Sequence, residues 1–406
     1  MSTPDYQQAL GRKIAAERRR RGLSQPELAR MIDRSVAWVS QVERGVRKVD
    51  RMSVLETLAT ALDIPLAELA AEAPVVAAAT EEPPGAGELR LVLSGAHMLR
   101  AMLGSGRAPA ISTLRGMAGK AWDLTHAGRY TELTDLLHGL VPDLESTART
   151  APEKQRAEAF ELLATTYQAC SAALAKLGEP DVAWIAADRA MAAAERAGDP
   201  LLVAAGAYRL VFVFIAARHY GQAEETARTA ADALSPMADG GNEQAMSLQG
   251  GLTLQRAVIA ARLNDADTAY GQLDRASQIA GQIAGQVGGG RNDYNTEFGP
   301  ANVGLYEIAV AVELGDAGRA LRVAATVDTA GLSAERRARM LIDVARAHAQ
   351  RRQVTEAVAA LHEAEEITPE QVRHELVRLL VSDLLTMQDP PDSGLRDLAV
   401  RLTARN

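Results

Sequence analysis

Six times along this chain a helical stretch ends in a short polar turn, and a second helical stretch opens a few residues later. The turns are Ala127-Gly128-Arg129-Tyr130, Leu177-Gly178-Glu179-Pro180 and Ala217-Arg218-His219-Tyr220, then Leu263-Asn264-Asp265-Ala266, Leu314-Gly315-Asp316-Ala317 and Arg351-Arg352-Gln353-Val354. Each is closed by an apolar anchor: Leu133, Ala183, Ala223, Ala269, Ala320 and Ala357, at intervals of 50, 40, 46, 51 and 37 residues. An all-helical period of this size marks an irregular array of helical hairpins. One hairpin has an apolar stripe too many to stand alone, so its neighbours must stack against it in a superhelix. Stacking of that kind lets residues 88–406 form one long domain rather than several cores. Only 4% of residues are aromatic while alanine is abundant, which further disfavours strands. The expected fold class is all-α.

The longest apolar run, Leu201 to Ala217, is interrupted by Arg209. At 17 residues it reads as an inner helix covered on every side rather than a membrane span. A single cysteine, Cys170, excludes an internal disulfide. The N-terminus lacks the apolar core of a signal peptide, so a cytoplasmic protein with no membrane partner is expected, nucleoid-associated when on DNA.

The formal charge of −8 is unevenly distributed. Residues 1–51 carry a net +6, which leaves −14 on the rest, so a basic head suited to a polyanion precedes an acidic body. The head reads as short helices: 6–20 stopped by Gly22, a second to Ile32, a third over 36–44 stopped by Gly45, a fourth over 51–62, and a short fifth led by Pro65. Ser24 and Glu27 have capping-box spacing, Asp33-Arg34 make the turn with Asp33 a residue that tolerates positive φ, and Ser35 caps the third helix. Arg18 to Arg21 alone would be a solvated basic face. Two helices across a tight turn make a helix-turn-helix.

The run Leu23-Ser24-Gln25-Pro26-Glu27-Leu28-Ala29, then Trp38-Val39-Ser40-Gln41-Val42-Glu43-Arg44-Gly45, then Val49-Asp50-Arg51, resembles the Cro/C1 (XRE) family of DNA-binding domains, its actinobacterial members above all. The likeness implies a five-helix domain over 1–70. It implies that Gln25 touches a phosphate and that Ser35, Val36, Ala37 and Gln41 face the major groove, Gln41 suiting adenine and Val36 or Ala37 a thymine methyl. Arg44, Arg47 and Lys48 would neutralise phosphates. Trp38 would brace or read the backbone, with Val39 and Val42 inward. Arg34 stands where a buried aliphatic is usual, so it too would meet phosphate. A homodimer would place two such helices on a near-palindromic double-stranded operator.

Residues 71–87, rich in Ala, Pro, Glu and Gly, read as a tether. Beyond it, the Leu-Gly…Ala turns resemble tetratricopeptide repeats with longer first helices, HEAT-like pairs being the alternative on spacing. That resemblance implies that the first helices line a concave face. Arg209, Arg256 and Tyr306 lie 14, 13 and 14 residues before their anchors, hence in one layer of it. Buried Arg209 requires a partner, either a carboxylate of the acidic body or an anionic ligand. Three glycines at 288–290 precede a polar, aromatic stretch, Arg291, Asn292, Tyr294, Asn295 and Phe298, and Pro300 then opens a helix on which Asn302 and Tyr306 share a face. The N–H groups at its start suit an anion. These nine residues are the candidate effector site, the alternative being a loop that covers the groove.

Enzyme signals fail. Gly116 to Lys120 lacks P-loop spacing, and the histidines form no metal-ligand pair, so no catalytic residue, metal or cofactor is expected. The expected function is a DNA-binding transcription regulator whose repeat domain dimerises and binds a small-molecule or peptide effector. The alternative is a scaffold that recruits a partner protein to DNA.

Overall fold

The computed structural model describes residues 3–47, 49, 52–62, 64, 86–93, 109–286, 292–388 and 393–403. It divides into two compact units, residues 1–81 and 82–406. Every described element is a helix, so the chain is all-α. The tether expected over 71–87 falls outside the described residues as far as 85, while 86 and 87 already belong to a helix of the second unit. The Pro65-led fifth helix, Lys48, Arg291 and the glycines 288–290 also lie outside them.

The first unit contains α1 (Thr3–Arg20), α2 (Gln25–Met31), α3 (Val36–Glu43) and α4 (Met52–Leu62). Its stops and caps are local. Gly22, Asp33 and Gly45 adopt positive φ, Ser24 and Glu27 form a reciprocal capping box, and the Ser35 hydroxyl accepts from the Trp38 N–H at 3.1 Å. Leu28, Val39, Val42, Leu58 and Leu62 form the core.

A polar lock ties three helices together. The Glu43 carboxylate at the end of α3 accepts from both arms of Arg18 on α1, one at 2.9 Å, and from Gln25 Nε2 on α2 at 2.8 Å. Arg18 also donates to the Leu23 carbonyl, and Arg21 donates to the carbonyl of Ala61. The arginine run expected as a solvated face is thus partly structural. Gly11 lets α1 pass against α3 so closely that a Cβ there would meet the Val42 carbonyl at 2.4 Å.

The second unit begins with α5 (Ala86–Val92). The six hairpins follow: α6 (Ile111–Ala127) with α7 (Tyr130–Thr150), α8 (Glu153–Lys176) with α9 (Pro180–Ala197), α10 (Pro200–Ala216) with α11 (Tyr220–Asp239), α12 (Glu243–Arg262) with α13 (Ala266–Gln286), α14 (Pro300–Leu314) with α15 (Ala317–Ala324), and α16 (Ala334–Gln350) with α17 (Val354–Ile367). The short α18 (Pro369–Val372), then α19 (Glu375–Met387) and α20 (Ser393–Thr403), complete the unit.

All six turns share one geometry. Gly128, Gly178, Arg218, Asn264, Gly315 and Arg352 are left-handed, and the N–H of the next residue reaches back five residues to a carbonyl, as His219 does to Phe214 at 2.8 Å. This is the Schellman closure of a helix C-terminus. The anchors Leu133, Ala183, Ala223, Ala269, Ala320 and Ala357 are all fully buried, so the second helix packs tightly on the first.

The first helices α6, α8, α10, α12, α14 and α16 pack successively, and α16 returns to α6, so the row closes into a ring. Across the closure, Lys176 pairs with Glu335 at 2.9 Å. The Glu370 carboxylate accepts from the backbone N–H groups of Tyr130 and Thr131, at 2.9 and 3.3 Å, at the start of α7. An anion there satisfies donors with no partner in their own helix. The apolar run at 201–217 is the inner helix α10, as expected. Helix α12 is also buried nearly all round, although its buried positions include Ser247, Gln249, Gly250, Gly251, Thr253 and Gln255. Among the described residues no helix is long and apolar enough to cross a membrane.

Burial pushes the Glu43 carboxyl up, but the bonds from Arg18 and Gln25 outweigh it and hold its pKa below the ordinary value. Glu43→Gln is therefore expected to cost the first unit about 1–3 kcal/mol near pH 7. A depressed native value gives stability that is complete above the unfolded value, ~4.3, and fades as pH falls through the folded one. Hydrogen exchange of the α3 amides should show faster opening in the variant at pH 7 and a shrinking difference towards pH 3. In the second unit, Glu370→Ala should cost about 1 kcal/mol. Calorimetry should register it as a lower unfolding temperature, whereas an unchanged value would mean that the closure does not depend on this cap.

Candidate functional site

On the first unit the exposed side of α3 carries Val36 and Ala37, with Ser35 beside them at the cap and Ser40, Gln41 and Arg44 continuing the face one turn on. Helical spacing puts 36, 37, 40, 41 and 44 on one side, opposite buried Val39 and Val42. Val36 is 44% exposed. Arg44 lies along the helix with Nε on the Ser40 carbonyl at 3.2 Å.

Two candidates sit differently from the sequence reading. Trp38 is only 7% exposed and belongs to the core, with the guanidinium carbons of Arg34 and Arg47 at 5.4 and 5.9 Å from its ring centroid. It braces those two cations rather than reaching outward. Gln25 is held by Glu43, so its amide positions α2 against α3. Arg18 and Glu43, the two residues that orient α3, were not among the candidates. Their 25-residue separation carries no periodic signal.

In the second unit the segment 292–299 packs against the ring helices α10, α12 and α16. Tyr294 packs on both halves of the surrounding core. Phe298 is seated in a notch left by Gly250, where a Cβ would lie 2.0 Å from the ring. Thr296 is fully buried: its hydroxyl lies 3.3 Å from that of Ser247, and its carbonyl accepts from Asn302 Nδ2 and Arg336, both at 3.4 Å. Asn292 Oδ1 accepts from the Glu297 N–H at 2.8 Å.

Arg209 answers to this segment. Its Nη2 donates to the carbonyls of Tyr294 and Asn295 at 2.9 and 2.8 Å, and its guanidinium carbon stands 4.6 Å from the Trp122 ring centroid and 4.9 Å from that of Tyr208. The carboxylate partner weighed from the sequence is therefore replaced by two backbone carbonyls. Among the described residues Arg209 Nε has no hydrogen-bond partner, nor do the buried Tyr306 hydroxyl, His126 Nε2 and Asn302 Oδ1. Burial brings the Arg209 pKa down to about 10, helped by nearby Arg336, so it stays a cation at neutral pH. Burial likewise lowers His126 against the opposing pull of Glu297, which favours the neutral ring.

Glu297 locks the segment. Its carboxylate accepts from the Ser333 N–H and hydroxyl, both at 3.1 Å, and from Arg336 Nε at 3.2 Å. Ser333 is the N-cap of α16, so the Glu297 carboxylate sits at the start of that helix. Glu335 is buried beside Lys176 and Arg336, whose charges outweigh its desolvation and bring it to about 2. The interior thus holds Lys176, Arg209 and Arg336 against Glu297 and Glu335, leaving Arg209 as the cation without a carboxylate.

Of the nine effector candidates, Arg209, Asn292, Tyr294, Asn295, Phe298, Asn302 and Tyr306 come together here. Arg256 does not join them, because it pairs with Glu224 at 2.7 Å. Trp122, His126, Gly250, Glu297, Ser333 and Arg336 were missed. Of these only Gly250-Gly251, two glycines inside a helical run, left a visible mark, since they tell of close approach by another group.

No group of His, Cys, Asp and Glu able to hold a metal ion occurs among the described residues.

Residues 9–71 match the helix-turn-helix domain family. No curated protein matches the chain. A solved structure, Bacillus thuringiensis PlcR in complex with the peptide PapR7 and DNA, aligns over 69% of this chain and 97% of that one, with 15% identity and a TM-score of 0.26. The first unit of this chain is a helix-turn-helix domain.

Proposed function

We propose that the chain is a sequence-specific DNA-binding transcription regulator, with the helix-turn-helix unit as reader and the helical ring as effector-binding and dimerising unit. The observation that carries the reading is the exposed face of α3. Its caps and the Arg18–Glu43–Gln25 lock hold it rigidly, and it presents Val36, Ala37 and Gln41 with Arg44 at the end. A small recognition helix reads few base pairs, so a homodimer on a near-palindromic site supplies the affinity that one head lacks. The net +6 of the head and −14 of the remainder keep the duplex on the first unit.

For the second unit, the support is a buried cation without a carboxylate inside a ring whose filling comes from its own chain. A ligand that binds one state of that interior better than another shifts the population of DNA-competent molecules. The filled interior argues against the alternative of a groove that grips a partner protein.

Gln41→Ala should relax sequence preference by about 1–3 kcal/mol at its base position, while Arg47→Ala should weaken all sequences alike and reduce the salt slope by about 1. Selection of preferred sites from random duplexes, followed by titrations at several salt concentrations, distinguishes the two. If both variants bind as the parent chain does, the face assigned to α3 is wrong. A monomer on operator by light scattering would remove the dimer.

A further inference from the structure

The segment 292–299 has the features of a bound ligand rather than of a connecting loop. Tyr294, Asn295 and Glu297 all adopt left-handed φ, at 50°, 56° and 51°. Non-glycine residues in that region cost about 1–3 kcal/mol each and persist only where surrounding contacts impose them. Here the contacts are those a small molecule would make. A carboxylate (Glu297) is held by an N-cap serine and a buried arginine, an aromatic ring (Phe298) fills a glycine notch, and two carbonyls cover part of a second buried arginine. The surface that receives these groups comes from α10, α12 and the start of α16, with His126 of α6 and Tyr306 of α14 beside it.

That surface also retains unused capacity. The Arg209 Nε, the Tyr306 hydroxyl and His126 Nε2 are buried without hydrogen-bond partners among the described residues, so the segment fills the space without using every polar group. A buried donor left unmade is costly, and an occupant that reached these atoms would recover that cost. Removal of the segment would also take Glu297 away and leave Arg209 and Arg336 facing only Glu335 and Lys176. Any replacement must therefore bring its own carboxylate.

We propose that the surface beneath 292–299 is a ligand site that the chain occupies itself, and that its external ligand is a small aromatic carboxylate. The ligand's carboxylate takes the place of Glu297 on Ser333 and Arg336, and its ring takes the place of Phe298 against Gly250. The inference rests on the reading of the ring as an effector-binding unit and names the ligand class. Because the segment is tethered, it competes at an effective concentration in the millimolar range, so the resident chain suppresses weak external ligands.

The test is complementation in trans on the full chain. The double variant Glu297→Gln, Phe298→Ala removes the two groups of the segment and leaves the receiving surface intact. The probe is acetyl-Glu-Phe-amide, which carries the same carboxylate and ring. By calorimetric titration the double variant should bind the probe at least tenfold more tightly than the parent chain. Adding Gly250→Ala, which fills the notch, should return affinity to the parent level. Equal binding by parent and double variant, or no binding by a folded double variant, overturns the proposal. Should the double variant not fold, hydrogen exchange on the parent chain decides. Amides 294–298 exchanging at least tenfold faster than those of α12 support a displaceable segment, while exchange only with α12 overturns it. Probe binding that leaves operator affinity unchanged would sink the effector reading yet keep the site. Absence of probe binding sinks the site, and native mass spectrometry can still test for an effector elsewhere.

Discussion

The inner helices of the second unit are apolar or tightly packed on more than one side, and a row of such helices has no place to stop. Helix α10 buries residues all round its circumference, and α12 does so with small and polar side chains. An open array would expose one such surface at each end, which repeat proteins ordinarily cover with a polar terminal repeat. Here the ends meet: α16 packs on α6, Lys176 reaches Glu335, and Glu370 caps α7 across a separation of 240 residues.

Closure creates the next constraint. The ring of six helices brings the buried charges Lys176, Arg209, Glu335 and Arg336 near one another, and buried charges need partners. The chain supplies a filling from the connection between α13 and α14. Its carbonyls accept from Arg209 Nη2, its Glu297 neutralises Arg336, and its Phe298 enters the Gly250 notch. The left-handed residues in the segment are the conformational cost of that fit. Residues 292–299, for which a loop covering the groove was the alternative, are thus held from α10, α12 and α16.

The first unit follows a different logic, in which one charged lock orients a short helix. Eight residues of α3 cannot hold their own direction, so Glu43, gripped from α1 and α2, supplies it, and Gly11 allows the close contact beneath. The cations Arg34 and Arg47 both lie against the Trp38 ring.

How much of this could be read beforehand follows from the range of each interaction. The six hairpin turns, the stops at Gly22 and Gly45 and the caps at Ser24 and Ser35 were all legible, because each closes hydrogen bonds within five residues. The need of Arg209 for a partner was legible too, since an arginine in an apolar helix declares it. Its actual partners were not, because they are backbone carbonyls 85 and 86 residues away, and a carbonyl is the same at every position. Burial of α12 was hidden by its low apolar content, and spacing did not decide between the bracing and reading roles left open for Trp38, which is buried in the core. Sequence alone therefore determined the elements and their order, where the forces are local and periodic. Only the tertiary structure decided the ring, the occupant of its interior and the lock on α3, because those depend on groups that meet only after the chain has closed.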